Sequence, residues 1–271
     1  MNWHAHAGIF TYPICVAVQM NIPIMIWGEH GFMDLGGMHS YNDFVEFTYR
    51  YRHEHCLRGY EWYDMTDEGL EKLGRGDLKE GLEKQDLLPW VYPSDEEVER
   101  VGMRGLYISN YFKWEANEHS QLMIDKYGFK PYPESFERTY RRISNLDDMH
   151  ENGIHDYLKF VKFGYGRATD HTCKDIRAGN MSRREAINIV RKMDYVKSKD
   201  LCRWLEYVGM TEEEFDYVCE TFRDPRVWSI QDGQWAKQNV WGEPGFYGQV
   251  HLKGKDIEDF QERSKKASKQ K

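Results

Sequence analysis

The residues from 145 to 179 read NLDDMHENGIHDYLKFVKFGYGRATDHTCKDIRAG, a run crowded with carboxylates, imidazoles and cations. Asp148, Asn152, His155, Lys159 and Lys162 recur at alternating steps of four and three, so on a helix they share one face. A phosphate-handling site uses that mixture: cations hold oxyanions and carboxylates hold Mg²⁺. A solvent-facing helix laced with ion pairs has the same composition, and the pattern by itself does not separate the two. GYGR, at residues 164 to 167, adds a turn whose glycines would let backbone approach a ligand closely.

Other candidates carry less. His4 and His6 are spaced as a zinc dyad on a strand, but only Met1, Asn2 and Trp3 precede them. His53 and His55 of HEHC fall within an expected helix and point to different faces. LGGMHS, at residues 35 to 40, has no lysine and no strand-to-helix context for a phosphate loop.

Composition narrows the field. The chain has 271 residues, room for one large or two smaller domains, and a formal net charge of −8. A broad electrostatic footprint for nucleic acid is absent. Five cysteines without CxxC spacing read as reduced thiols of a cytoplasmic protein. The most apolar stretch, IFTYPICVAVQMNIPIMIW, is broken by Pro13, Gln19, Asn21 and Pro23, so no membrane span and no secretory leader are expected.

The elements that must position these groups follow from periodicity. FTYPICVAVQM fits an amphipathic helix, and IPIMIW, ending at Gly28, fits a buried parallel strand that feeds the loop WGEHG. In α/β folds ligands sit beyond the carboxyl ends of strands, which makes that loop a candidate site. Ser40 and Asp43 signal a helix carrying Phe44, Phe47 and Tyr51, and residues 66 to 87 read as an exposed excursion. PSDEE starts another helix, RGLYISNYF a second strand, and EANEHSQLMIDKYG a helix that stops at Gly128. Further on, Ile154, Leu158 and Val161 form one stripe. Ser182/Glu185 and Thr211/Glu214 form capping boxes, the latter leading into Phe215, Val218, Cys219 and Phe222. The last dozen residues, with the basic KKASKQK, read as a frayed end.

Several of these segments also carry a resemblance. WHAHAGIFTYPICVAVQMNIPIMIWGEHG, YISNYFKWEANEH, SFERTYRRISNLDDMHENGIHDYLKFVKFGYGRATDHTCKDIRAG and FRDPRVW look like the N-acetyl sugar amidotransferases of the PP-loop ATP pyrophosphatase superfamily, which act in bacterial surface polysaccharide biosynthesis. The likeness runs from about residue 2 to 245, and its long ordered combination is what is specific. It implies an α/β fold. Residues 1–130 would be part of a Rossmann-like PP-loop domain with a parallel sheet, 131–250 a mainly helical region contributing to the site, and 251–271 a flexible basic tail. It also implies that HAHAG leads into a helix.

The implied reaction converts an acetamido group of a nucleotide-linked N-acetyl sugar to an acetamidino group. ATP and Mg²⁺ are the implied cofactors, and a partner glutaminase supplies the ammonia. The family's SGGKDS-type phosphate loop and the paired cysteines before it are absent, which implies a truncated product or a loop carried on a separate polypeptide.

Under this resemblance Gly28 lies against the nucleotide and Glu29 orients substrate or Mg²⁺. Lys162 and Arg167 bind phosphate oxygens, Asp170 and His171 contact the sugar or relay a proton, and Asp175 and Arg177 are further choices for binding the cofactor. An incomplete sheet would leave an edge that invites association, so a homo-oligomer is allowed for. The rival readings are a non-catalytic subunit that binds nucleotide-sugar or docks a glutaminase, and a PP-loop enzyme of tRNA thiolation. The acidic charge and the missing cysteine pair count against the latter.

Overall fold

The computed structural model describes residues 3–28, 46–113, 115–143 and 150–269. It is a mixed α/β structure with a small parallel sheet and many helices. The chain divides into two units, 1–119 and 120–271.

The N-terminal unit begins with α1 (Trp3–Ile9) and α2 (Tyr12–Gln19), with Pro13 in the first turn of α2, where its missing N–H costs nothing. His4 and His6 therefore sit within a helix, where the resemblance implied that HAHAG leads into one, and Ile14, Ala17 and Val18 supply the buried stripe of α2. β1 (Ile24–Trp27) pairs in parallel with β2 (Arg104–Tyr107), Ile24 opposite Arg104 and Trp27 opposite Tyr107. Between them in the chain lie a π-helical turn (Tyr51–Cys56), α3 (Asp67–Lys72), and α4 (Asp95–Val101), whose capping box is the expected Ser94 and Glu97. α3 is a short helix inside the expected excursion. The core gathers Tyr51, Cys56 and Tyr107 with Phe10, Trp27 and Phe47. Beside it Arg52 is buried against Glu61 by two hydrogen bonds of 3.0 and 2.7 Å.

Two expectations change here. β1 is not a buried strand: Ile24 is 54% and Ile26 64% exposed, while Met25 and Trp27 turn partly inward. An apolar run looks the same whether one face or both are covered, and parallel strands are buried twice only when helices lie on both faces. The helix expected from Ser40 falls mostly outside the described residues. Where description resumes, Phe47 is not helical, its N–H donating to Gly105 O at 2.8 Å beside β2, and the expected helix is present over 49–56, through Tyr51.

The unit boundary falls within α5 (Ala116–Tyr127), which is followed by Gly128 in the left-handed region at φ +69°. The C-terminal unit then contains α6 (Asn152–Phe163), α7 (Arg167–Arg177), α8 (Arg183–Met193), α9 (Leu201–Val208) and α10 (Glu212–Thr221). Both predicted capping boxes are present, at Ser182/Glu185 and Thr211/Glu214. α6 serves two cores. Its Ile154 and Val161 meet Leu201, Phe215 and Cys219, and its Phe160 meets Trp228, Trp235, Leu252 and Phe260. Of the apolar residues expected to bury on α10, Val218 and Phe222 are exposed.

The region expected to be mainly helical also holds an antiparallel meander: β3 (Trp228–Gln231), β4 (Gln234–Gln238) and β5 (Pro244–Gln249). Asp232 and Gly233, both at positive φ, make the two-residue turn between the first two strands. α11 (Lys255–Ser268) occupies the residues expected to fray. It is held because Phe260 is 1% exposed and meets Trp235 edge-on, ring centroids 4.9 Å apart. Burying one such ring contributes about 2 to 3 kcal/mol, which a charge-rich tail conceals from a composition count. Among the described residues no helix is long and apolar enough to cross a membrane.

Candidate functional site

GYGR joins α6 to α7, and its glycines do what the sequence suggested in form but with a different occupant. Gly164 ends α6 at φ +73°. A Cβ on Gly166 would stand 3.0 Å from Asp194 Oδ1, because the Gly166 N–H donates to Asp194 Oδ2 at 2.9 Å. The Thr169 N–H and hydroxyl donate to the same carboxylate. Asp194, one residue past α8, thus satisfies the free N–H groups at the start of α7 and opposes the positive end of its dipole. The backbone approach is to a carboxylate of the protein itself.

Around this cap lies a buried polar network. Arg167 pairs with Asp156, whose side chain is 3% exposed, and reaches Asn152 Oδ1 at 3.4 Å. Lys159 pairs with Asp170. Asp175 receives Arg141 Nη2 at 2.7 Å and the Tyr140 hydroxyl. His171 Nδ1 lies 2.6 Å from Thr139 Oγ1. Arg138, buried with its backbone at φ +61°, donates to the carbonyls of Asp156 and Asp194, while its Nε and Nη1 have no hydrogen-bond partner among the described residues. A non-glycine residue in that conformation costs about 1 kcal/mol or more, so the loop at 137–142 is held by what its side chains reach.

The electrostatics sort these groups. Burial raises the Asp156 carboxyl, but His155 and Arg167 outweigh it and hold it below the usual range. Burial raises Asp170, and Lys159 only partly reverses this, so Asp170 keeps a proton more readily than a free carboxyl. Burial, then the charges of Arg141, Arg167 and Lys174, push His171 down to about 2. It is neutral at pH 7.

The structure therefore brings together Arg167, Asp170, His171 and Asp175 from α7 with Asp156 and Lys159 from α6. It does not bring Lys162 or Arg177 to them: both are exposed, and the Lys162 Nζ lies 5.0 Å above the Phe163 ring. Gly28 is exposed at the end of β1, while Glu29 and Asp148 lie outside the described residues. The open edge of the network is the Lys159–Asp170 pair, with side chains 21% and 24% exposed, flanked by Tyr165 and the exposed His155.

Among the described residues no three His, Cys, Asp or Glu side chains form a group that could hold a metal ion. Asp156, Asp170, Asp175 and Asp194 are each already engaged by a guanidinium, an ammonium or backbone N–H groups. Sequence reasoning passed over the loop ERTYRR, which supplies Arg138, Thr139, Tyr140 and Arg141, and it passed over Asp194. The loop's signal was its density of arginines outside any helical period; Asp194 had none.

Residues 108–240, just under half of the chain, match the family model described as LPS biosynthesis protein WbpG-like, C-terminal domain. The matched segment contains the whole polar network. It is consistent with a polysaccharide-biosynthesis family, implies a role in lipopolysaccharide biosynthesis and suggests an enzymatic one. No curated protein matches the chain.

Proposed function

We propose that this chain works in lipopolysaccharide biosynthesis as the sugar-handling part of an ATP-dependent amidotransferase. That enzyme converts an acetamido group of a nucleotide-linked N-acetyl sugar to an acetamidino group. The observation that carries the reading is the family match lying across the α6–α7 network. The Lys159–Asp170 edge has the right chemistry for the acceptor side. Attack by ammonia on an activated amide carbon leaves an ammonium-like nitrogen that must lose a proton, and a carboxyl with a raised pKa beside a cation is suited to take it. Arg167, fixed by Asp156, keeps the neighbouring charge in place. Activation by ATP is assigned to residues outside those described or to another chain, and ammonia to a glutaminase subunit.

The test is pyrophosphate release from ATP with ammonium and UDP-linked N-acetyl sugars, for this chain alone and together with a polypeptide bearing a phosphate loop. Release is expected in the second case, and Asp170→Asn should lower it by roughly 10²- to 10⁴-fold. Release in neither case sinks the catalytic reading. One observation favours a second reading, a subunit that binds nucleotide-sugar or docks a glutaminase without chemistry of its own: every acid of the network is already engaged. Sugar-nucleotide binding with no turnover in any combination would support it.

A further inference from the structure

α8 starts with two arginines where a helix least tolerates them. Arg183 and Arg184 occupy its first turn, where the partial positive charge of the helix end repels cations. Ile187, Asn188 and Arg191 continue the same stripe. The Ser182–Glu185 capping box offsets part of the unfavourable charge, but Glu185 is spent on Ser182, to whose N–H and hydroxyl it is bonded at 2.9 and 2.6 Å.

The turn from β4 to β5 faces this stripe. Arg183 Nη2 donates to Val240 O at 2.7 Å, Arg191 Nη2 to Glu243 Oε2 at 2.9 Å, and the Arg191 guanidinium lies 5.0 Å from the Trp241 ring centroid. Between helix and turn is a shallow groove of about 520 Å³, lined by the stripe and Trp241. Arg184 forms no ion pair among the described residues. A chain of formal charge −8 thus carries three guanidinium groups along one groove wall, with Glu243 the one carboxylate bonded to them among the described residues.

Local rules are broken in proteins mainly where function compensates. Guanidinium forks match phosphate oxygens two at a time, and several spaced along a helix suit a chain of phosphates better than a single one. Asn188 offers both a donor and an acceptor for a polar ring edge. Trp241, half-buried, offers an aromatic surface to a base. The volume lies in the range of small-molecule sites, about 300 to 1,000 Å³.

We propose that the groove between α8 and Trp241 binds a nucleoside diphosphate group, the arginines taking the diphosphate and Trp241 the base. This rests on the nucleotide-sugar reading above and gives that substrate's nucleotide end a place. Asp194, which caps α7, follows directly on α8, so one helix carries both the groove and a member of the network.

The experiment is calorimetric titration of the full chain with UDP and inorganic pyrophosphate, on the wild type and on Arg184→Glu, Arg184→Lys and Trp241→Leu. UDP should bind at least tenfold more weakly to the Glu and Leu variants and several-fold more weakly to the Lys variant, which keeps the charge without the fork. Pyrophosphate should bind more weakly than UDP and ignore the Leu change. UDP affinity unchanged by Arg184→Glu overturns the site, as does pyrophosphate binding as tightly as UDP. Loss of UDP binding in Arg184→Glu without any sugar turnover keeps the site and removes the amidotransferase reading. Turnover with KM unchanged in Arg184→Glu does the reverse.

Discussion

Between α6 and α7 each charge meets its opposite: Arg167 meets Asp156, Lys159 meets Asp170 and Arg141 meets Asp175, mostly out of water. Between α8 and Trp241 the arginines outnumber the carboxylates and stay exposed. The same residue types are present in both regions, yet they are placed for different ends. A buried pair has given up its hydration and holds the fold by the penalty of breaking it, whereas an exposed unpaired guanidinium keeps its interaction free energy for a ligand. Charge density along the chain therefore marks polar structure, and only pairing separates scaffold from surface for recognition.

The largest effect that sharpens this contrast comes from Asp156→Ala. It leaves Arg167 without its buried partner and should cost about 3 to 5 kcal/mol in urea unfolding. A loss below about 1 kcal/mol would place Asp156 among ordinary surface acids.

His171 gives the next effect, through pH. Its folded pKa, about 2, lies below its ordinary 6.5, so the unfolded chain binds a proton that the native chain refuses. Stability is then complete above pH 6.5 and falls as pH falls, by up to ~1.4 kcal/mol per pH unit. Replacing His171 by Gln should flatten that slope between pH 6.5 and about 5, above the range where the carboxylates titrate. An identical slope in the variant would mean that His171 is not the group responsible.

Asp170→Asn keeps the shape of the partly open Lys159 pair and should cost about 1 kcal/mol of stability, far less than its effect on turnover. Smallest of all, Arg184→Glu should leave unfolding within about 0.5 kcal/mol of wild type. A loss approaching that of Asp156→Ala would make the α8 arginines structural and erase the difference between the two regions.

Much of the local structure was legible in the sequence. The stops at Gly128 and Gly164, the capping boxes at Ser94, Ser182 and Thr211, and the buried stripe of Ile154 and Val161 depend on neighbours within a few residues. The Asp232–Gly233 pair announced a hairpin too, but the strands around it are short and rich in Gln and Lys, and the surrounding helices concealed it. α11 was hidden for a related reason, since one Phe260 in a charged run anchors it only because Trp235 stands ready. The polar segment from residue 145 to 179 was recognisable by residue type alone as the densest run of charge, and it supplies Asp156, Lys159, Arg167 and Asp170 to the network. Which of its members are spent could not be read there, because Thr139, Arg141 and Asp194 arrive from outside the segment. Periodicity and capping are properties of contiguous chain, so the sequence by itself determined the helices that carry a cap or an apolar stripe, and the location of the charge. Pairing, burial and the resulting protonation states depend on residues distant in the chain, and these were decided only when tertiary structure brought them within hydrogen-bonding distance.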